Sequence, residues 1–272
     1  MISSRQNQFI KAIRNLRHSK GDRALLEGEH LIGEAIRGGL RLEWILATPE
    51  FSGSTSGANL LARTDPSQVH LVSDDALRSV ADVDSPSGVI AAADLPRSAV
   101  TCLSVAPGEC YLYLERVQDP GNLGAIVRAA EASGARGIAL SAGCAHPNHP
   151  RALRASAGSL LRVPVAVDCS LAELRRHLAT ATPRVLALDA HGESLYRQDL
   201  SGTVVLALGS EGLGLTAETL ASADRTLAIP IAAPVESLNV AVAAAITLFE
   251  RRRRLHPDEA ERLGQPARSR RT

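Results

Sequence analysis

The chain has few aromatic residues, almost no lysine and little net charge. Of its 272 residues 3% are aromatic, and all but Lys11 and Lys20 of its 30 basic residues are arginines. Few aromatic rings leave little for stacking on unpaired bases, so a nucleic acid would have to be recognised through its shape and its phosphates. The net charge of +1 restricts any such surface to a local patch.

The chain also lacks the signals of a metal site, a secreted protein or a membrane protein. The cysteines have no paired ligand spacing and indicate no disulfide framework; they are Cys102, Cys110, Cys144 and Cys169. The first 20 residues are polar and basic without an apolar core, and no stretch reaches membrane-spanning length free of charge. We therefore expect a soluble cytoplasmic protein with reduced thiols, no metal and no membrane partner.

Alternating helix and strand patterns fill most of the sequence. With 45% hydrophobic residues, the chain can bury a sizeable core. The first part predicts a small α/β unit, with helices near 8–16 and 29–37, strands near 24–26 and 42–47, and a loop over 49–57. The second part predicts strands at 111–117, 137–141, 163–167, 184–188, 203–208 and 226–230. Their alternation with helices indicates a mainly parallel sheet covered on both faces.

Composition also predicts where the domains begin and end. Residues 1–95 carry the first α/β unit, and residues 96–108 mix Pro, Ser and Thr without periodicity, which is typical of a linker. Residues 109–256 carry the second unit. Residues 257–272 are polar and arginine-rich, and we expect a tail.

The most informative stretch is residues 119–128, Asp-Pro-Gly-Asn-Leu-Gly-Ala-Ile-Val-Arg. It follows the apolar strand 111–117, and a Pro-Gly turn precedes Asn122, which we predict to cap the next helix. Gly124 and Arg128 lie one turn apart on the helix, so a ligand backbone could approach over the glycine while the guanidinium reaches it. Together with the free N–H groups of a helix start, this pattern indicates a phosphate-handling site.

Taken alone, the same stretch is equally well explained by an ordinary helix. In that interpretation Arg128 pairs with Glu131 on a solvated face, and Asn122 is only a cap. Such pairs are common, so two further segments are needed to decide.

The second segment is an apolar strand that ends in a glycine-rich turn, residues 204–215, with one carboxylate at Glu211. Its glycine spacing matches neither a Walker loop nor a dinucleotide fingerprint. The third segment, residues 227–240, leads into an alanine-rich helix that Ser237 or Asn239 could cap.

In this order, the three segments resemble the signature motifs of the SpoU/TrmH family of RNA ribose 2′-O-methyltransferases, within the SPOUT superfamily. The resemblance covers roughly residues 108–255, including 143–147 and 153–159. Residues 26–35 and 85–91 resemble, more loosely, the small substrate-binding domain of many ribosomal-RNA members. The resemblance implies an α/β fold with a small N-terminal RNA substrate-binding domain and a C-terminal SPOUT domain with a mainly parallel sheet and a trefoil knot.

The resemblance also implies S-adenosylmethionine as the cofactor. Residues of the matching motifs that would surround its adenosyl group are Gly209, Ile229, Ile231 and Leu238. An adenine ring needs an apolar slot, and backbone amides and carbonyls can bind its edge. Without the motifs, Ile229 and Leu238 would be interpreted as core residues.

For catalysis, the resemblance nominates Arg128. A guanidinium stays protonated and is poorly suited to accept a proton. We therefore expect Arg128 to fix an RNA phosphate and polarise the 2′-hydroxyl, while the base role proposed for the family stays open. Asn122 and Asn239 would shape the substrate pocket, Glu211 would order the glycine turn or a partner arginine, and Ser237 would stabilise the start of the last helix.

The resemblance further implies RNA as partner, ribosomal RNA being favoured over transfer RNA, and a homodimer. Arg23, Arg151 and Arg154 are candidate RNA contacts, although each is equally explained as a surface arginine. Two rival functions stay open. One is a non-catalytic RNA-binding or assembly protein on the same fold; the other is a nicotinamide-dependent dehydrogenase, which residues 138–143 disfavour because that strand ends without the acidic ribose ligand.

Overall fold

A computed structural model describes residues 1–4, 6–17, 21–81, 86–95 and 99–258. The helices are α1 (Gln8–Arg17), α2 (Glu29–Arg37), α3 (Pro49–Gly53), α4 (Thr55–Leu61), α5 (Asp74–Arg78), α6 (Pro120–Ser133), α7 (Pro150–Ala155), α8 (Leu171–His177), α9 (Ala217–Ser222) and α10 (Val240–Leu255). The strands are β1 (Arg23–Glu27), β2 (Leu42–Ala47), β3 (Val69–Leu71), β4 (Val89–Asp94), β5 (Cys110–Glu115), β6 (Gly137–Leu140), β7 (Val165–Ala166), β8 (Arg184–Ser194), β9 (Val204–Gly209) and β10 (Arg225–Ala228). Within the described ranges, no helix has both the length and the apolar character that crossing a bilayer requires.

The first half of the chain forms a four-stranded mixed sheet with the order β1-β4-β2-β3. Strand β4 pairs antiparallel with β1 and β2, and β3 runs parallel to β2. Successive side chains of a strand point to opposite faces, so Leu25 packs with Ile10 and Ile13 of α1 while Leu26 packs with Ile32 of α2. The sheet therefore has helices on both faces.

The loop predicted over residues 49–57 is wrong, because two short helices occupy it. Thr48 begins α3, since its Oγ1 accepts a hydrogen bond from the backbone N–H of Phe51 at 3.2 Å. Ser54 begins α4 in the same way, accepting from the N–H of Gly57 at 3.0 Å. Thr48, just before the predicted loop, and Ser54, within it, are helix caps here.

The second half forms a six-stranded sheet with the order β10-β8-β9-β5-β6-β7, in which every strand pair is parallel. All six residues of the central strand β5 are buried, as expected when helices cover both faces. The predicted mainly parallel sheet is confirmed. Strand β7 is shorter than predicted, with two residues in place of 163–167.

A side chain just before α7 and another within it hold the two halves together. Asn148 is 2% exposed, and its Nδ2 donates to the carbonyl oxygens of Gly21 at 3.0 Å and Leu95 at 2.9 Å. Six residues later, Nη1 of Arg154 lies 2.9 Å from Oε2 of Glu27 at the end of β1. Buried amides and ion pairs with defined partners fix the relative orientation of the two halves.

Parts of the predicted substrate-domain match, linker and tail lie outside the described residues. They fall on residues 82–85, 96–98 and 259–272.

Candidate active site

The site lies at one edge of the six-stranded sheet. The carboxyl ends of parallel strands share an edge, and ligands of open α/β sheets bind beyond that edge. Glu115, the last residue of β5, pairs in register with Gly209, the last residue of β9. The segments that follow these two strands, 116–122 and 210–216, therefore leave the sheet side by side.

The helix after β5 begins differently from the prediction, because Asp119 and not Asn122 is its cap. Oδ1 of Asp119 accepts from the backbone N–H of Asn122 at 2.9 Å, and Pro120 occupies the first helical position. The predicted inward face is confirmed, since Leu123 and Ile126 are fully buried. A cap supplied by the aspartate leaves the amide of Asn122 available for other contacts.

That amide connects the three sequence motifs. Nδ2 of Asn122 donates a hydrogen bond to Oε1 of Glu211 in the glycine-rich turn. Oδ1 of Asn122 accepts from Nδ2 of Asn239 at 3.0 Å. Asn239 is also the cap of α10, because its Oδ1 accepts from the N–H groups of Ala241 and Val242. We call this series, Asn239 to Asn122 to Glu211, the amide–carboxylate chain.

A cavity of about 320 Å³ lies next to this chain. All four residues predicted to surround the cofactor line it, together with two of the predicted catalytic residues: Gly209, Ile229, Ile231, Leu238, Glu211 and Ser237. Glu211 therefore belongs both to the cavity wall and to the amide–carboxylate chain. Ser237 does not cap α10; it lies exposed at the cavity.

The cavity has the lining that an adenosyl group requires. Leu208 and Leu227 supply buried apolar wall, and the turn after β9 supplies main-chain groups. Gly209 permits the close return of this turn, because a Cβ at that position would lie 2.0 Å from the carbonyl carbon of Gly214. The residues present thus fit S-adenosylmethionine, with Gly209, Ile229 and Leu238 as the residues that would hold it.

Arg128 lies exposed on α6 and does not line the cavity. The predicted alternative pairing with Glu131 is wrong, because Glu131 accepts two hydrogen bonds from Arg162, at 2.6 and 2.8 Å. These bonds lower the pKa of Glu131, chiefly through the side-chain contact with Arg162. Among the residues that the structure describes, Arg128 has no ion-pair partner, so its guanidinium is available to a ligand.

The predicted approach of a ligand over Gly124 is also wrong. Gly124 is buried, and a Cβ there would lie 2.3 Å from the carbonyl oxygen of Ala152 and 2.9 Å from the backbone nitrogen of Ser156. The glycine therefore serves the close packing of α6 against the backbone of α7.

The three arginines predicted to contact RNA occupy different surroundings. Arg151 joins the site, since its Nη1 lies 3.0 Å from Oδ2 of the cap residue Asp119. Arg23 and Arg154 instead bind carboxylates of the small sheet, Glu43 and Glu27 respectively. The structure does not bring these two arginines to the cavity.

Sequence reasoning missed Glu115, a buried carboxylate at the end of β5. It accepts hydrogen bonds from the N–H of Thr216 at 2.7 Å, from Oγ1 of Thr216 at 2.9 Å and from Oγ1 of Thr219 at 3.0 Å. Thr216 caps α9, so Glu115 fixes the far end of the glycine-rich turn. Its position at the carboxyl end of a buried parallel strand was the available signal.

Asp189 was missed as well. It lines the cavity, in a segment where β8 departs from regular pairing. Ala187 pairs with Thr226, whereas the next residue of β10, Leu227, pairs with Glu193, so residues 188–192 bulge from the sheet. Bulges beside active sites redirect side chains. Here the bulge brings a carboxylate to the cavity.

Three of the four cysteines are unsuited to nucleophilic chemistry. Burial raises the pKa of Cys110 to about 12 and that of Cys169 to about 11. Burial also raises the pKa of Cys144, whose Sγ lies 3.2 Å from the carbonyl oxygen of Leu114. The thiolate is the reactive form, so these three residues act as small apolar groups at neutral pH.

Comparison with known families gives two adjacent matches. Residues 109–249 match the model of the SpoU rRNA methylase family, and residues 7–91 match that of the MRM3-like substrate-binding domain.

Individual relatives are similar to this protein along almost its whole length. An uncharacterized tRNA/rRNA methyltransferase of Synechocystis is 36% identical over 93% of both chains. The 23S rRNA (guanosine(2553)-2'-O)-methyltransferase RlmP of Bacillus subtilis is 31% identical over 92% of this chain and 98% of its own. Among solved structures, an AdoMet-bound rRNA methyltransferase from Sinorhizobium meliloti has a TM-score of 0.81 and 31% identity, covering 93% of this chain and 97% of its own.

These matches confirm the α/β fold with a mainly parallel sheet, the cofactor and the reaction class expected from the motifs. The enzyme is an S-adenosylmethionine-dependent RNA ribose 2′-O-methyltransferase, and the dehydrogenase interpretation is set aside. Its three motifs are joined by the amide–carboxylate chain beside the cavity, and this protein belongs to the SpoU rRNA methylase family.

Proposed function

We propose that this protein methylates a ribose 2′-hydroxyl of ribosomal RNA, with the cofactor in the 320 Å³ cavity and the RNA at the amide–carboxylate chain. The observation that carries the proposal is the double role of Glu211, which lines the cavity and accepts a hydrogen bond from Asn122. A ribose held beside Asn122 and Asn239 would lie next to the cofactor. The 23S rRNA activity in the name of the Bacillus subtilis relative supports ribosomal RNA over transfer RNA.

When bound, the cofactor supplies an electrophilic methyl group on a sulfonium sulfur. The residues of this chain then have to align the hydroxyl and manage its proton. We assign alignment of the hydroxyl to Asn122 and Asn239. To Glu211 we assign the ordering of the glycine-rich turn. Ser237, at the cavity, supports the segment that leads into α10.

Arg128 is the residue we assign to the RNA phosphate next to the target ribose. Its guanidinium is exposed and unpaired among the described residues, and it presents a planar fork that matches phosphate oxygens. A guanidinium that stays charged can polarise the hydroxyl without accepting its proton.

We further propose that the enzyme works as a homodimer that packs through α10. Val242 and Phe249, seven residues apart on that helix, are 47% and 46% exposed, and Ile246 lies between them. Arg128 lies on the adjacent helix α6 and does not reach the cavity of its own subunit. A second copy packed on this face would bring its own Arg128 towards the site.

The dimer is tested by light scattering after size-exclusion chromatography. We expect dimers for the wild type and monomers for the double variant Val242→Glu/Phe249→Glu. Leu71→Glu, which places the same charge on an exposed apolar residue of the small sheet, is the matched control and should stay dimeric. A wild type that elutes as a monomer would contradict the dimer and leave the reaction untouched.

The division of labour between the domains is also part of the proposal. We assign RNA recognition to residues 1–95, with Arg23, Arg151 and Arg154 as candidate contacts. We assign a linker to 96–108, catalysis and the trefoil knot to 109–256, and a polar tail to 257–272. The two family matches, 7–91 and 109–249, support this division. A ribosomal substrate implies that the enzyme acts in the cytoplasm.

The decisive experiment maps 2′-O-methyl groups in total RNA from cells with and without the gene. We expect one ribosomal site to lose its methyl group and to regain it with the wild-type gene but not with Arg128→Ala. Loss of a methyl group from transfer RNA alone would show that transfer RNA is the substrate in place of ribosomal RNA. An unchanged map would contradict the proposal. Calorimetry with S-adenosylmethionine separates the non-catalytic alternative, which predicts no binding.

A further inference from the structure

The wall of the cofactor cavity carries charge of one sign. Three carboxylates line it, namely Asp189, Glu211 and Glu236. None of the described residues that line the cavity is an arginine, lysine or histidine. The chain as a whole is nearly neutral, at +1, so this excess of negative charge is local.

The rest of the wall makes this charge more effective. Leu208 and Leu227 are 2% and 1% exposed, and they present hydrocarbon to the cavity. A cleft with charges of one sign and an apolar wall concentrates the electrostatic field on its contents. Glu211 and Glu236 are exposed and Asp189 is half-buried, so solvent screens part of the effect.

The two forms of the cofactor differ by one positive charge. S-adenosylmethionine has a sulfonium, an ammonium and a carboxylate, and its net charge is positive. Methyl transfer breaks the bond between sulfur and the methyl carbon, with the electron pair kept by sulfur, while the 2′-oxygen gains the methyl group and releases its proton to water. The remaining S-adenosylhomocysteine is a neutral zwitterion with a thioether.

We propose that Asp189, Glu211 and Glu236 make the cavity selective for the cationic cofactor over its neutral product. Asp189, on the bulge of β8, and Glu236, before α10, are specificity-determining residues in this scheme. Their negative charge favours the methyl donor before the reaction and weakens retention of the product after it. This inference rests on the proposed function, because it takes the cavity as the cofactor site.

The test is calorimetry of the full-length protein with three ligands: S-adenosylmethionine, S-adenosylhomocysteine and sinefungin, which carries an amine in place of the sulfonium methyl. We expect both cations to bind roughly threefold to tenfold more tightly than S-adenosylhomocysteine, the range that a few partly screened charges produce. The preference should shrink as sodium chloride rises from about 0.05 to about 0.5 M.

Variants identify the residues responsible. Asp189→Asn and Glu236→Gln should each reduce the preference for the cations by about 1.5-fold to twofold, mainly through weaker cation binding. Glu218→Gln removes one charge from an exposed position of α9 outside the cavity wall, so it is the matched control and should leave the ratio unchanged.

The outcomes distinguish the charge selectivity from the proposed location of the cofactor. Equal affinity of the wild type for S-adenosylmethionine and S-adenosylhomocysteine, or a preference that ignores salt and both variants, would overturn the charge selectivity while leaving the methyltransferase assignment intact. Failure to bind either ligand would overturn the location of the cofactor itself. The wild-type comparison and its salt dependence decide the matter even if a variant does not fold.

Discussion

Asn239 donates a hydrogen bond to Asn122 across 117 positions of the chain, with 3.0 Å between Nδ2 and Oδ1. Because Asn122 in turn donates to Glu211, the cap of the last helix and the glycine-rich turn are held through one side chain. Amide side chains carry both a donor and an acceptor, and Asn122 uses each of them towards a different motif.

Replacing Asn122 by aspartate should break this connection. The new carboxylate can still accept from Asn239, but it cannot donate to Glu211 and repels it. We expect roughly tenfold weaker binding of S-adenosylmethionine, equivalent to about 1.4 kcal/mol, together with loss of methylation. The double variant Asn122→Asp/Glu211→Gln restores a donor opposite the new carboxylate. Recovery of cofactor affinity in the double variant is the expected result, and its absence would show that the contact does not order the turn.

Replacing Arg128 by lysine should show whether Arg128 acts through its positive charge alone or also through its planar shape. Lysine keeps the positive charge and loses the planar fork. If Arg128 grips a phosphate with two hydrogen bonds, kcat/KM for RNA should fall by about tenfold or more. The affinity for S-adenosylmethionine, measured by calorimetry, should not change, because Arg128 does not line the cavity. Full activity of Arg128→Lys would rule out a need for the fork.

Two glycines of the same turn should respond differently to alanine. In Gly209→Ala the new Cβ would meet the carbonyl carbon of Gly214 at 2.0 Å and the nitrogen of Leu215 at 2.3 Å. In Gly212→Ala nothing lies within 4 Å of the new Cβ. We expect Gly209→Ala to lose cofactor binding and to melt several degrees lower, as overpacking by about 1–3 kcal/mol would produce. Gly212→Ala should bind normally; equal losses in both would point to chain flexibility instead.

The stability of α10 should depend on pH through Glu250. Its carboxylate accepts hydrogen bonds from Arg253 at 2.8 Å and from Arg254 at 2.6 Å, and these contacts, Arg253 foremost, lower its pKa from 4.5 to about 2. A lowered pKa in the folded state stabilises the protein above the unfolded value, and this stabilisation is lost as pH falls from about 4.5 to about 2.

Glu250→Gln should therefore lower Tm at neutral pH. The difference in Tm between variant and wild type should close as the pH is lowered through that window, as followed by circular dichroism. A difference that persists at the acid end would mean that the contact stabilises α10 without its charge.

The residues that line the cavity were predictable because they follow strands in recognisable motifs. Gly209, Ile229, Ile231 and Leu238 line one cavity although 29 positions separate the first from the last. Asn239 was one of two candidate caps for α10, and it is the cap.

Other features depend on contacts that no local pattern encodes. The contact between Asn122 and Glu211 joins residues 89 positions apart, whereas the cap at Asp119 was recognisable from Pro120 at the first helical position. Gly124 looked like space for a ligand because the partner that fills it, Ala152, lies in another helix. Asp189 reaches the cavity through a change of register between β8 and β10, which depends on how two distant strands pair.

The close packing of Gly124 against α7 has a consequence for how RNA is selected. Helix α7 bears Arg154, which is bound to Glu27 of the small sheet, and it is preceded by Asn148, whose amide ties Gly21 and Leu95. With backbone meeting backbone at position 124, α6 has no room to slide along its neighbour. Helix α6, which carries Arg128, is therefore held rigidly to the small domain to which we assign RNA recognition, so the position of the guanidinium depends on how that domain lies on the RNA.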